Sequence, residues 1–324
     1  MSTHYFRFTS RGAVDRQRSR LLERLLARAD APARVTDWRA DAFHVLAPQL
    51  TSMPGVGAAA LLAQRGPVEA GLLEAASPEA ASPDAASLEA ASVFVATPVH
   101  YVAEMSNVRL PADGILSLRQ SEAEALAIDF NRVWNDAGVR LLTGPCADLF
   151  CVLDRPLTAT TDDPEDVLDR HIENHLPTGA AAPRLRRLMS EIEMWLFEHA
   201  VNRTRVADAA PAVNGLWLWG GGPALASLPA VRGWTAGDDV FFKAFTGAPV
   251  CADATSGVAV FAAQPGTAEW HDVESRWLER SLADLRSGRI SRIDLSAGSR
   301  CFSVGPHWRR RFWRRSRPWW ESFE

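Results

Sequence analysis

The sequence predicts an α/β protein whose core carries an inserted α+β subdomain. Three observations predict it. Short apolar runs with strand character alternate with amphipathic helical stripes along most of the 324 residues. Between about 93 and 200 that order gives way to mixed elements. A repetitive segment at 74–92 separates the first elements from the rest.

Residues 14–29 read as a helix with Leu21, Leu22, Leu25 and Leu26 on one face. Residues 34–50 are mixed, and 53–66 hold a glycine turn followed by an Ala/Leu helix. The 74–92 segment repeats Glu-Ala-Ala-Ser-Pro, a five-residue period that fits neither helix nor strand, and Pro78 and Pro83 interrupt any helix. An expanded, solvated linker is expected there, since so short a repeat has no face to bury.

Strands are expected at 93–96 and 108–118. A capping-box pattern at Ser121–Glu124 opens a helix with Leu126, Phe130, Val133 and Trp134 inward, ending near Gly138. Strands at 139–142 and 149–153 precede helices at 164–176 and 184–199. The second of these helices carries Leu185, Leu188, Met189, Ile192, Trp195, Leu196 and His199 as one stripe. Leu216 to Trp219 reads as a buried strand closed by Gly220-Gly221-Gly222, with strand pieces near 249–252 and 257–262. Thr267 caps a long helix bearing Trp270, Val273, Trp277, Leu278, Leu282 and Leu285, which Gly288 ends before a strand at 290–295.

Composition excludes some function classes. Net charge is −4 and Lys243 is the only lysine, so the whole molecule is not an electrostatic nucleic-acid binder. Four cysteines without a CxxC pair read as reduced thiols, hence a cytoplasmic protein. No apolar signal region opens the sequence and no run approaches 18 apolar residues, so no membrane span is expected.

Two blocks carry a resemblance: Val201-Asn202-Arg203-Thr204-Arg205, and Asn214-Gly215-Leu216-Trp217-Leu218-Trp219-Gly220-Gly221-Gly222. They resemble the archaeal-type cofactor-independent phosphoglycerate mutases. With Pro98-Val99-His100, Leu176-Pro177-Thr178-Gly179 and Ser190-Glu191-Ile192-Glu193-Met194, the chain is also similar to a proteobacterial family of RpfE-like regulatory proteins. The resemblance covers roughly 93–222 and departs at Glu198-His199-Ala200, where His-Pro is usual, and at Glu193, where Gln is usual.

The resemblance implies a reduced alkaline-phosphatase-like core. It is divided as 1–73 and 213–306 for the core, 74–92 for the linker, 93–212 for the inserted subdomain and 307–324 for an Arg/Trp-rich tail. In the mutases two divalent metals activate a serine nucleophile. Their early Asp-Gly is missing here, and Ser296-Ala297-Gly298-Ser299 stands where they place Asp-His. The expected function is therefore non-catalytic: a regulatory or binding protein recognising a small phosphorylated or carboxylate anion or a protein partner, with no cofactor. The alternative is a metal-dependent phosphomutase or phosphatase with a rearranged site, which alone would need divalent metal.

Each candidate constellation has a structural reading beside its functional ones. His199, Asn202, Arg203 and Arg205 form either an anion site or a helix cap, with Asn214 beside them. Gly220 and Gly222 either admit a ligand to the backbone or form a hinge. His100 is an acid–base candidate or a structural strand-end histidine. No metal site is assigned, although His171 and His175 have zinc-clamp spacing and His271-Asp272 resembles one mutase segment. In the tail, Arg309, Arg310, Arg311, Arg314 and Arg315 with interleaved tryptophans could track nucleic acid, lie at a membrane interface, or dock on an acidic surface.

Overall fold

The computed structural model describes residues 2–10, 19–65, 91–134, 136–237, 239–245, 256–263 and 273–323. The chain forms two compact units, 1–53 with 229–324, and 54–228. The second is inserted in the sequence of the first, and its bounds are wider than the expected 93–212. Most of the expected linker, the strand at 249–252, the Thr267 cap and His271-Asp272 lie outside the described residues.

The chain opens with β1 (Thr3–Ser10), α1 (Arg20–Arg28), β2 (Ala33–Arg34) and α2 (Trp38–Leu46). Ser19 caps α1 by accepting from the Leu22 N–H, and all four leucines expected inward are buried. The inserted unit starts with α3 (Val56–Arg65), then β3 (Ser92–Val99), β4 (Val102–Ala103), β5 (Val108–Leu110) and α4 (Gln120–Val133). It continues with β6 (Val139–Thr143), β7 (Leu149–Leu153), β8 (Arg170–His171), α5 (Ala182–Phe197), α6 (Ala200–Ala207) and β9 (Gly215–Pro223). The first unit resumes with β10 (Gly233–Gly237), α7 (Val240–Lys243) and β11 (Ser256–Ala263). A π-helical turn (Val273–Leu278) leads into α8 (Glu279–Ser287), followed by β12 (Arg292–Ala297), β13 (Arg300–Val304) and α9 (Trp319–Phe323).

The first unit is built on a six-stranded sheet, β10-β11-β1-β12-β13-β2, whose first four strands are parallel. Period-two alternation sorts its residues onto two faces. Phe6, Phe8, Ile293, Leu295, Phe302 and Val304 join Leu22 and Leu25 of α1 and Leu282 and Leu285 of α8 in one core. The other face carries Tyr5, Arg7, Asp294, Ser296, Cys301 and Ser303 at paired positions.

The inserted unit holds an antiparallel sheet, β6-β7-β3-β9, and a small sheet, β4-β5-β8. Its arrangement corrects four expectations. The strand at 108–118 stops at Leu110, because Pro111 has no N–H to donate. The helix at 164–176 is replaced by two 3₁₀ turns around β8, with Asp169 left-handed at φ 59°. Arg119, not Ser121, caps α4: Glu122 Oε2 accepts from the Arg119 N–H at 2.7 Å. That start leaves Val133 on the outer face, 60% exposed.

The glycine triplet also differs from expectation. Gly220, Gly221 and Gly222 lie within β9, which pairs with β3 through an irregularity between Val93 and Val95. No helix among the described residues is long and apolar enough to cross a membrane.

Candidate functional site

The residues that the sequence grouped as an anion site are engaged in holding the inserted unit together. Asn202 is buried, and every amide hydrogen bond it makes is to backbone: Nδ2 donates to Leu196 O (2.7 Å) and Val213 O (2.8 Å), and Oδ1 accepts from Val213 N (2.8 Å). Arg205 is buried too. It donates to Pro211 O through Nε and to both Glu122 oxygens at 3.1 Å. Asn214 mimics a strand partner for Tyr101, accepting from its N–H and donating to its carbonyl. Arg203 is exposed and donates to Glu198 O.

His199 caps α6, its Nδ1 accepting from the Val201 N–H at 3.2 Å. Nδ1 therefore carries no proton, and Nε2–H lies 3.3 Å from Asp129 Oδ2 but off the line of a hydrogen bond. Burial holds this imidazole below its usual pKa despite the pull of Asp129, so it is neutral at pH 7. The cap reading accounts for these contacts. His199, Asn202 and Arg205 are thus engaged by the fold, while Arg203 stands at the surface.

The glycines make room for protein. A Cβ on Gly222 would come 2.6 Å from Gly55 Cα, and one on Gly220, at φ +62°, would come 2.6 Å from Val56 Cβ. The triplet lets the start of α3 lie against β9. His100 donates through Nδ1 to Ala212 O at 2.8 Å. His171 and His175 do not share a helical turn: His171 pairs in β8, while His175 Nδ1 lies 2.6 Å from Asp162 Oδ2. Among the described residues, no three His, Cys, Asp or Glu side chains form a metal-holding group.

The tail is docked. Trp308 and Trp319 are buried in the first unit's core. Arg311 donates to Arg28 O and pairs with Asp30, and Arg314 donates to Ala29 O. Arg309, Arg310 and Arg315 remain at the surface.

Sequence reading missed the polar face of the first unit's sheet. Arg7 is 3% exposed and donates from Nη1 to Ser296 Oγ (3.0 Å) and Gly298 O (2.7 Å), with Trp38 4.9 Å from its guanidinium carbon. Asp294 accepts from Ser303 Oγ at 2.7 Å and pairs with Arg292 at 2.9 Å. Burial raises the Asp294 carboxyl despite these partners, raises the Tyr5 hydroxyl, and pushes the Cys301 thiol up to about 12. The signal available in sequence was the alternation Tyr5-Phe6-Arg7-Phe8 against Asp294-Leu295-Ser296.

This face ends in the turn Ala297–Ser299, into which Arg7 donates at Gly298 O. The buried guanidinium bonded there fixes a positive charge at this end of the face.

No family model matches the chain. A 2,3-bisphosphoglycerate-independent phosphoglycerate mutase of Methanothrix thermoacetophila is 43% identical over 61 residues, which is 19% of this chain and 16% of that protein. A probable 2,3-bisphosphoglycerate-independent phosphoglycerate mutase of Geobacter sulfurreducens is 36% identical over 74 residues, 22% of this chain and 18% of that protein. The chain thus matches less than a fifth of the length of these curated relatives. Among solved structures, a cofactor-independent phosphoglycerate mutase from Thermoplasma acidophilum aligns over 94% of this chain and 89% of its own, with a TM-score of 0.36 and 16% identity. The PH0037 protein of Pyrococcus horikoshii aligns over 94% and 88%, with a TM-score of 0.35 and 11% identity. The chain is a mixed α/β protein with a local relation to phosphoglycerate-mutase-like proteins.

Proposed function

We propose that this protein is a phosphoglycerate-mutase-related binding protein that does not carry out two-metal phosphoryl transfer. In this reading its first unit is a reduced alkaline-phosphatase-like core, and its role is regulatory, of the RpfE-like kind, in the cytoplasm. The observation that carries the reading is Arg7, buried and bonded to Ser296 near the end of β12 and to Gly298 in the following turn, where the mutase resemblance would call for metal ligands. Braced Asn202, Arg205 and Asn214 support it further, because side chains saturated by the fold are poorly placed to clamp a phosphosugar acid.

The test is turnover of 3-phosphoglycerate and of 4-nitrophenyl phosphate by the full chain with added manganese, magnesium, cobalt or zinc, together with elemental analysis. No turnover with any metal and no stoichiometric metal are expected. Metal-dependent turnover that is abolished by Ser296→Ala or His271→Ala would overturn the reading.

The second reading, a metal-dependent phosphomutase or phosphatase, is favoured by the 43% identity to a mutase over 61 residues. The same assay separates the two.

A further inference from the structure

The first unit contains a cavity of about 460 Å³, within the range of small-molecule sites. It opens at the amino ends of the parallel strands, the edge opposite the one where α/β sheets usually bind ligands. His4 lies near the start of β1, Trp234 and Thr235 near the start of β10, and Ile290 just before β12. The remaining wall comes from the π-helical turn and α8, through Arg276, Trp277, Arg280, Ser281 and Asp284, and from Arg289 beyond them.

Two features of this wall point to a ligand. The first is charge: among the described residues the cavity is lined by the guanidiniums of Arg276, Arg280 and Arg289 and by one carboxylate, Asp284. That carboxylate is engaged by Arg289 at 3.3 Å. Arg280 has no protein partner among the described residues. Arg276 and Arg280 are four residues apart, so both project from one side of the turn–helix junction. Guanidiniums converging on a concave surface suit a phosphate or carboxylate, which they can grip bidentately.

The second feature is aromatic. Trp234 and Trp277 stand 5.0 Å apart at 31°, and His4 meets Trp234 edge-on at 5.2 Å. The Trp234 indole is seated by Gly257 of β11, where a Cβ would come within 1.9 Å of the ring. His4 is fixed by a 2.7 Å contact between its Nδ1 and the Oγ of buried Ser281. A held indole pair beside a cluster of guanidiniums matches a ligand with a flat ring at one end and an anion at the other.

We propose that this cavity binds a planar aromatic ring carrying a phosphate, with Trp234 and Trp277 against the ring and Arg276 and Arg280 on the phosphate. The inference is independent of whether the protein turns over phosphate esters.

The test is calorimetric titration of the full chain, in EDTA, with AMP, adenosine and inorganic phosphate. Saturable AMP binding is expected, with adenosine and phosphate each at least about tenfold weaker, since each offers only half of the match. Arg280→Gln, a surface change that leaves the fold intact, is expected to weaken AMP about tenfold or more. Trp277→Leu is expected to weaken AMP and adenosine alike. Absence of saturable AMP binding by the folded protein would overturn the proposal. So would equal binding of inorganic phosphate, or AMP binding unchanged in an Arg276→Gln/Arg280→Gln double variant. Because EDTA removes metal chemistry, failure here leaves the phosphoryl-transfer assay unaffected.

Discussion

Asn202 and Val213 exchange two hydrogen bonds, the amide of one side chain serving both the N–H and the carbonyl of the other residue's backbone at 2.8 Å. The same Nδ2 also takes the Leu196 carbonyl near the end of α5. One side chain thus ties together the end of α5, the start of α6 and the approach to β9. Replacing it with Leu leaves the buried Val213 N–H and carbonyl without this partner, each worth roughly 1–3 kcal/mol, while the Leu196 carbonyl keeps the His199 N–H. Asn202→Leu should cost several kcal/mol in urea unfolding. Asn202→Asp should cost nearly as much, because a carboxylate cannot donate to the two carbonyls.

The Arg205–Glu122 pair links α6 to the cap of α4 with both side chains buried. Burial alone would raise the Glu122 carboxyl, but the Arg119 N–H and the Arg119 and Arg205 guanidiniums together hold it below the usual range. A carboxyl held low in the folded state stabilises above its unfolded pKa of 4.5 and loses that contribution as pH falls through its folded pKa. Acid titration of stability should therefore show a loss below about pH 4.5 that Glu122→Gln removes. Arg205→Ala should cost about 3–5 kcal/mol at pH 7, and less in the Glu122→Gln background, where no buried charge is stranded.

His199 should place a second pH dependence higher up. Its folded pKa is depressed by burial, so the unfolded chain takes up the proton first. Stability should be flat above the unfolded value of 6.5 and decline as pH drops below it. His199→Asn keeps a cap acceptor for the Val201 N–H, so it should abolish the decline near pH 6 without losing α6. Helicity by circular dichroism and Tm between pH 5 and 8 check both halves.

These cases show what was legible in sequence. Leu21, Leu22, Leu25 and Leu26, and the stripe from Leu185 to Leu196, declared their helices because burial acts on one face at a fixed period. The proximity of His199, Asn202 and Arg205 was legible as well, because they lie within two helical turns. The distant partners were not, since Glu122 lies 83 residues away from Arg205 and Tyr101 lies 113 from Asn214. The polar sheet face was hidden for a related reason: Arg7 and Ser296 are 289 residues apart, and only their parallel register brings them together. The 164–176 segment misled because its composition suits a helix, while backbone pairing of Arg170 and His171 with β5 pulls it extended.

Two glycines should respond differently to alanine. At Gly222 the added Cβ would strike the Gly55 backbone at 2.6 Å, and backbone cannot rotate away as a side chain can. At Gly288 the space is open, and only the φ of +75° at the end of α8 resists. Gly288→Ala should cost about 1 kcal/mol, the usual penalty for a left-handed alanine. Gly222→Ala should exceed it, in the roughly 1–3 kcal/mol range of overpacked cores. Chemical denaturation of both variants gives the ranking; the reverse order would mean that α3 does not lie against β9 as described.

The Arg/Trp tail divides into a buried and an exposed half, which should separate on mutation. Trp308 is 4% exposed, and Arg24, Arg28, Arg286 and Arg309 all place guanidinium carbons within 6.0 Å of its ring centre. Trp308→Ala should cost about 3–5 kcal/mol, the scale for emptying a large aromatic site. Deleting the tail would consequently unfold part of the core and cannot serve as a test of nucleic-acid binding. Arg309, Arg310, Arg315 and Arg317 are at the surface, and changing all four to Gln should lower Tm only slightly, with Arg310, Arg315 and Arg317 each within about 0.5 kcal/mol and Arg309, which lies over Trp308, costing about 0.5–1 kcal/mol. If the tail tracks single strands, this quadruple variant should lose salt-sensitive binding to an oligonucleotide while remaining folded. Equal binding by the variant and the parent protein would confine the role of the tail to packing.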